Sequence, residues 1–325
     1  MFREIAAFDV VRTNLDWPWI AFAPAHDRLA FVVSPTTIAT KVAGPDGIVD
    51  GPVHPLPSGL ALEAFAVAAD RIAVAGGGLI ALLGAAGEER RVAVDTVVGA
   101  GHDLRAITFD RTERRLWLSL ESATETVLAL LDVATLALVG VQRSPPLPRP
   151  ALHELHVHSR DDAVLLVAAC GDEGTFARVV GFAGDEVSAV PSALDAGAIA
   201  AGFVGFSSDG MRVHLVEADE LRTHAWPTLD ELSSVPLADD FISSFSGAVL
   251  GQEIYVDGED AETQEDMLMV FDRSAIRGVV LPRPAPSGMW AGRLGKSRVV
   301  VVEPRADPAR ARVWELRVQT PINLM

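Results

Sequence analysis

The chain predicts an all-β fold: a closed ring of seven four-stranded antiparallel blades. Three observations predict it. First, a hydrophobic run, a polar turn and a second hydrophobic run recur seven times in 325 residues, the second runs starting at Leu29, Ile72, Leu116, Val164, Val213, Ile254 and Val299. The steps between these starts are 43, 44, 48, 49, 41 and 45 residues, and a repeat of roughly 40–50 residues is the signature of stacked supersecondary units. Second, the runs are short and many alternate apolar with polar residues, which is the period of a half-buried strand. Third, the seventh unit runs out of chain before a fourth strand, while residues 5–11 form a spare strand at the other end. Pairing that spare strand into the last unit closes the ring and removes the exposed edges that invite aggregation.

Unit by unit, the strands are read as follows. Unit one has strands at 19–23 and 29–33 around a turn at 24–28. In unit two Gly76, Gly77 and Gly78 follow a strand, and no helical pattern follows them, so they make a tight bend and not a phosphate loop. Unit three is the clearest, with strands at 104–109, 115–120, 126–131 and 136–141. Pro145, Pro146, Pro148 and Pro150 then interrupt pairing, because proline cannot donate to a ladder. This proline run also has polyproline II character, but a stiff connection between units accounts for it more simply. Unit four opens on 153–158, and Cys170 follows the apolar run 164–169 as a buried core thiol. Unit five has strands at 202–206 and 212–216 around the turn 207–210. Unit six has 253–256, an acidic loop and 267–271. Unit seven has 289–294, 298–302 and 313–318. The chain thus reads as one propeller domain over 1–325, with blades near 15–50, 60–98, 103–142, 152–190, 198–236, 240–281, and 288–318 joined by 4–12.

Several local motifs resemble the WD-repeat superfamily of seven-bladed propellers, in its loose bacterial form. Gly101 and His102, then Phe109 with its polar turn, then Leu130, Leu131 and Asp132 are similar to that family's Gly-His, strand, turn and strand-end positions. Ser207, Ser208, Asp209 and Gly210 resemble its Ser-Pro-Asp-Gly turn, and Phe271 with Asp272 its Trp-Asp end. No unit carries a Trp-Asp pair and a single unit has a Gly-His. The resemblance implies a rigid platform for protein contacts, usually without catalysis, and no cofactor is expected.

Composition narrows the classes. Hydrophobic residues make up 49%, enough for a large core, and one cysteine forbids an intrachain disulfide, which suits a reducing cytoplasm. No signal peptide and no stretch of about 18 apolar residues is found, so neither secretion nor a membrane partner is expected. The net charge is −17, and affinity for nucleic acid comes mainly from basic residues, so that partner class is not expected either. The charge is unevenly spread. Residues 217–272 hold 15 acids against Arg222, whereas 273–317 hold 10 bases against three acids.

Two clusters carry candidate chemistry. In 153–158, strand alternation puts Glu154, His156 and His158 on one face. Two imidazoles and a carboxylate are possible ligands for zinc. Neighbours two apart on a strand lie roughly 6–7 Å from each other, however, so these three need help from another element. A polar inner strand lining the central channel fits them better. Residues 257–266 carry six acids, but not at the spacing of a calcium loop. No nucleophile elbow is present. The six tryptophans fall mostly near strands, and Trp17 and Trp19 flank Pro18 where a face is accessible.

In a propeller the loops between second and third strands share a face with the connectors between blades. That face is expected to carry an acidic arc over blades four to six: Asp172, Glu173, Asp239, Asp240, Asp257, Glu259, Asp260, Glu262, Glu265 and Asp266. Arg283, Arg305 and Arg310 would follow as a basic sector on blade seven. The expected role is that of a scaffold or adaptor binding a protein with a basic surface. The alternative is a small-molecule site, or a hydrolase or lyase site, in the channel.

Overall fold

The computed structural model describes residues 2–11, 20–148, 151–170, 174–184, 186–191, 201–217, 219–272, 278–281, 288–303 and 308–316. Seven four-stranded antiparallel sheets stand in chain order. Blade one is Ile20–Phe22, Arg28–Ser34, Thr37–Ala43 and Ile48–Pro55, and blade two is Ala64–Val67, Ile72–Gly76, Leu79–Gly84 and Gly87–Ala93. Blade three is Asp103–Phe109, Arg115–Glu121, Thr126–Asp132 and Leu138–Ser144, and blade four is Leu152–Val157, Ala163–Ala169, Thr175–Ala183 and Glu186–Val190. Blade five is Ala201–Phe206, Arg212–Glu217, Glu220–Ala225 and Glu231–Pro236, and blade six is Phe241–Leu250, Glu253–Asp260, Asp266–Phe271 and Gly278–Leu281. Blade seven is Met289–Leu294, Arg298–Glu303, Ala309–Leu316 and, as its outermost strand, the N-terminal Phe2–Val10.

The first strands of successive blades pack side by side around the axis. Blades four and five are joined there by the His156 ring stacked on Phe203, with centroids 3.7 Å apart. The chain packs tightly at the next step: a Cβ at Gly202 would fall on the Phe245 carbonyl, so only glycine fits.

The core is divided among the interfaces between blades. Seven buried clusters each join one blade to the next, from blades one and two round to seven and one. Strand alternation produces this division. In blade seven Val299 and Val301 pack toward blade six, while Val300 and Val302 pack toward blade one. A second strand covered on both faces holds polar residues only where they find a partner, as Ser119 does in His153 and His214 in Thr223. That is why these strands are mainly apolar on both faces.

Two local differences from the sequence reading have physical causes. The fourth strand of blade three starts at Leu138 and not at 136. Leu136 takes φ 57° in a turn closed by its N–H to the Asp132 carbonyl at 2.7 Å, and the Asp132 carboxylate accepts the Thr135 N–H at 2.9 Å. A single helical turn, Val94–Val98, occupies the connector after blade two, burying Val94 and Val98.

Phe2 anchors the closing strand. It is 6% exposed and meets Tyr255 and Trp290 edge-on, at 5.4 and 5.9 Å. Truncating a buried phenylalanine costs roughly 3–5 kcal/mol. Phe2→Ala is therefore expected to lower the urea-unfolding free energy by about 3 kcal/mol, whereas Ala7→Gly in the same strand, at a half-exposed position, is expected to cost about 1 kcal/mol.

Candidate functional site

One end of blades five and six gathers the exposed acids. The sequence reading treated 257–266 as a loop. In the structure the strand Glu253–Asp260 continues four residues further, pairing Asp257 with Leu268 and Glu259 with Asp266, so the turn is confined to 261–265. The consequence falls on Asp257, which is 3% exposed and withdrawn from the surface set. Burial pushes its carboxyl up to about 8, despite hydrogen bonds from Ser244 and Ser246 and with the Asp266 charge adding to the rise. The opposite strand bulges between Ser243 and Ser246, where Phe245 takes φ 54°, and Ser246 Oγ lies 3.3 Å from the Asp257 carboxyl.

Asp260 builds the turn. Its carboxylate accepts the Glu262 and Thr263 N–H groups at 2.9 and 2.7 Å, and these bonds hold it below the usual aspartate range. The Ala261 N–H donates to the Asp240 carbonyl at 2.8 Å, which ties this turn to the connector from blade five. The Leu237 N–H donates to the Asp219 carbonyl at 2.8 Å, tying that connector to the turn of blade five. Asp219, Asp239, Asp240, Glu262 and Glu265 are exposed, and Glu259, Asp260 and Asp266 are half-buried. Among the described residues no basic side chain is within ion-pair distance of Asp219, Asp239, Asp240, Glu259, Asp260, Glu262 or Glu265. The exposed Ile242 stands opposite Glu259 on the innermost strand. Asp172, Glu173, Arg283 and Arg305 lie outside the described residues, as do Trp17 and Trp19. Arg310 is on a strand, not a loop, and pairs with Asp9 at 3.5 Å.

The histidine cluster of blade four divides. Glu154 and His156 meet, Oε2 to Nε2 at 3.0 Å, with Glu154 open to solvent. His158 is 1% exposed and both ring nitrogens are used. Its Nε2 donates to the Gly210 carbonyl at 2.9 Å and its Nδ1 accepts the Asp161 N–H at 2.9 Å. Its ring stacks on Trp226 at 4.6 Å, and Trp226 Nε1 donates to Asp161 at 2.7 Å. His158 therefore stitches blade four to blade five and has no lone pair for a metal. His153 points the other way, Nδ1 to Ser119 Oγ at 2.7 Å, across the interface with blade three. Among the described residues no group of three His, Cys, Asp or Glu is arranged to hold a metal ion, and no helix is long and apolar enough to cross a membrane.

No family model and no curated protein matches the chain. Among solved structures it is similar to the β-propeller domain of Myceliophteria thermophila Cps50 (Swd1), at 11% identity and a TM-score of 0.62, over 98% of this chain and 100% of that one. This likeness is one of fold.

The buried titratable groups predict opposing pH effects. Burial pushes His153 and His214 down to about 4 from an ordinary 6.5. Both are held neutral, so the stability they contribute is present above pH 6.5 and is lost as pH falls toward 4, up to about 3 kcal/mol each. His214→Gln, which keeps a partner for Thr223 Oγ1, is expected to flatten that acid limb in urea melts. Asp257 acts in the other direction: its contribution is greatest below the ordinary aspartate pKa and is lost as pH rises through about 8. Asp257→Asn is therefore expected to stabilise the protein, by a margin that grows about 1.4 kcal/mol per pH unit between pH 5 and 7.

Proposed function

We propose that this chain is a non-catalytic adaptor of WD-repeat type, working in a reducing cytoplasm, that binds a protein bearing a basic surface. The contact face is the loop end of blades five and six, and Asp172 and Glu173, which lie outside the described residues, are included from their place in the sequence. The observation that carries this reading is the set of seven carboxylates without a basic partner among the described residues. Like charges held close repel one another and weaken the folded state. Elsewhere the same chain pairs its acids closely: Glu217, Glu220 and Glu231 share Arg222, at 3.3, 2.8 and 3.2 Å. Where the acids are left unpaired, an external cation completes them. Hydrogen bonds between the turns fix the array in place, so little ordering cost remains on binding. Ile242, beside Glu259, adds an apolar contact within the charged field. The shared propeller fold supports a platform role.

The reading is tested by recovering partners of the tagged protein from its native lysate at low and moderate salt. A stoichiometric protein partner released by moderate salt is expected, because exposed charge contacts are screened over about 10 Å. The combined variant D239K, D240K, E262K and E265K spares the turn-building Asp260. It is expected to weaken that partner by roughly tenfold or more with no loss of thermal stability. A partner retained at full strength by this variant would count against the acidic face.

A further inference from the structure

The other end of the channel holds an opposite anomaly. Arg293 lies near the end of the innermost strand of blade seven and reaches across to the innermost strand of blade six, where Nη1 is 3.4 Å from the Val249 carbonyl. Nε is buried without an acceptor. Nη2 has no acceptor among the described residues either. Nε and Nη2 share one edge of the guanidinium, the planar fork that receives an oxyanion two-pronged. Burial lowers the Arg293 pKa, and among the described residues no carboxylate pairs with it. By contrast Arg298 pairs with Glu315 at 3.1 Å, and Arg105 with Glu121 at 3.0 Å.

Two imidazoles join it. His26 sits in the first turn of blade one, tied to blade seven by the Gly295 N–H on its carbonyl, and its Nδ1 is buried without a partner. The charges acting on His26 are those of Arg293 and His156. His156 lies on the innermost strand of blade four, its ring stacked on Phe203 of the innermost strand of blade five. Glu154 is the one acid of this set, and its carboxylate is already engaged by His156. Burial and the Arg293 charge push His26 down to about 4, so its ring is neutral at physiological pH.

We propose that the axial channel binds a small oxyanion at Arg293, His26 and His156, contributed by blades seven, one and four. A buried, unpaired cation is strongly destabilising, and in a chain of net charge −17 an acid was readily available to balance it. An anion supplied from outside does so while leaving the site exchangeable. Its negative charge also favours a proton on His26, so binding draws in a proton below neutrality.

The test uses the full chain with sulfate, whose charge is constant between pH 5 and 8, and with acetate, each against chloride at matched ionic strength. A saturable rise in melting temperature is expected, about 5 °C at a hundredfold excess over Kd. Calorimetry at pH 5.5 in buffers of different ionisation enthalpy is expected to show proton uptake. A response to sulfate assigns a tetrahedral anion such as a phosphoryl group, and a response to acetate assigns a carboxylate. R293M is expected to lose the response while melting at or above the anion-free wild type. H26N is expected to bind without proton uptake, which keeps the test open if R293M fails to fold. No saturable response to either anion, or an equal response in R293M, overturns the site. The site does not rest on the acidic-face reading, and R293M is expected to keep any protein partner recovered there.

Discussion

Everything else in this molecule depends on the antiparallel ladder between Phe2–Val10 and Ala309–Leu316. A blade here is apolar on both faces, and each face is covered only by a neighbouring blade. An open row of seven would leave two faces and their share of the core in water. The ladder brings the first strand to the outside of the last blade. The Phe2 ring then packs on Tyr255 of blade six and Trp290 of blade seven, so one side chain at the start of the chain secures an interface formed some 250 residues later. Closure also fixes where the axis runs, and with it which residues of distant blades can meet.

The interfaces between blades are not sealed by apolar contact alone. The turns at the channel end opposite the acidic face are laced from blade to blade. The Ala69 N–H donates to Glu113 at 2.8 Å, Arg111 pairs with Asp162 at 2.7 Å, and His158 and Arg160 donate to the Gly210 and Ser208 carbonyls at 2.9 and 3.0 Å. Dispersion tolerates small slips between packed sheets, whereas hydrogen bonds of defined length and direction do not. These polar contacts set the rotation of one blade on the next. His158 in this lacing and His153 on Ser119 join neighbouring blades, whereas His214 bonds Thr223 within blade five, so acid acts both between blades and within one.

The architecture was legible in the sequence because its signals are local and repeated. Seven polar turns, each between two apolar runs, survive any single misjudged boundary. The missing fourth strand of the last unit pointed directly to closure. What was not legible depends on neighbours from elsewhere in the chain. Asp257 looked like one more loop acid, and nothing in the acid-rich string 257–266 reveals that the strand continues to Asp260 with its partner strands beside it. Glu154, His156 and His158 are spaced alike along the strand. Yet a carbonyl of blade five claims His158, and Phe203 claims the face of His156. His26 and Arg293 are 267 positions apart, and only the ring closure makes them neighbours. His26 lies in a turn of ordinary polar composition, so no local pattern marks it.

The two ends of the channel carry opposite electrostatic problems, and the fold explains why both persist. Within a blade an acid and a base on adjacent strands find each other easily, as Arg298 and Glu315 do across the pair Arg298–Glu303 and Ala309–Leu316. The turns at the loop end of blades five and six and the axial end of the blade-seven inner strand have no such adjacent strand to draw on. Their counter-charges must come from another blade or from outside the protein. For the acids of blades five and six, the next blade's described residues supply none. For Arg293, blade six supplies a carbonyl and blade one a neutral imidazole, neither of which cancels a full charge. A ring of rigid sheets thus leaves its uncompensated charges at its two mouths, the places where an external partner or ligand can reach them without disturbing a blade.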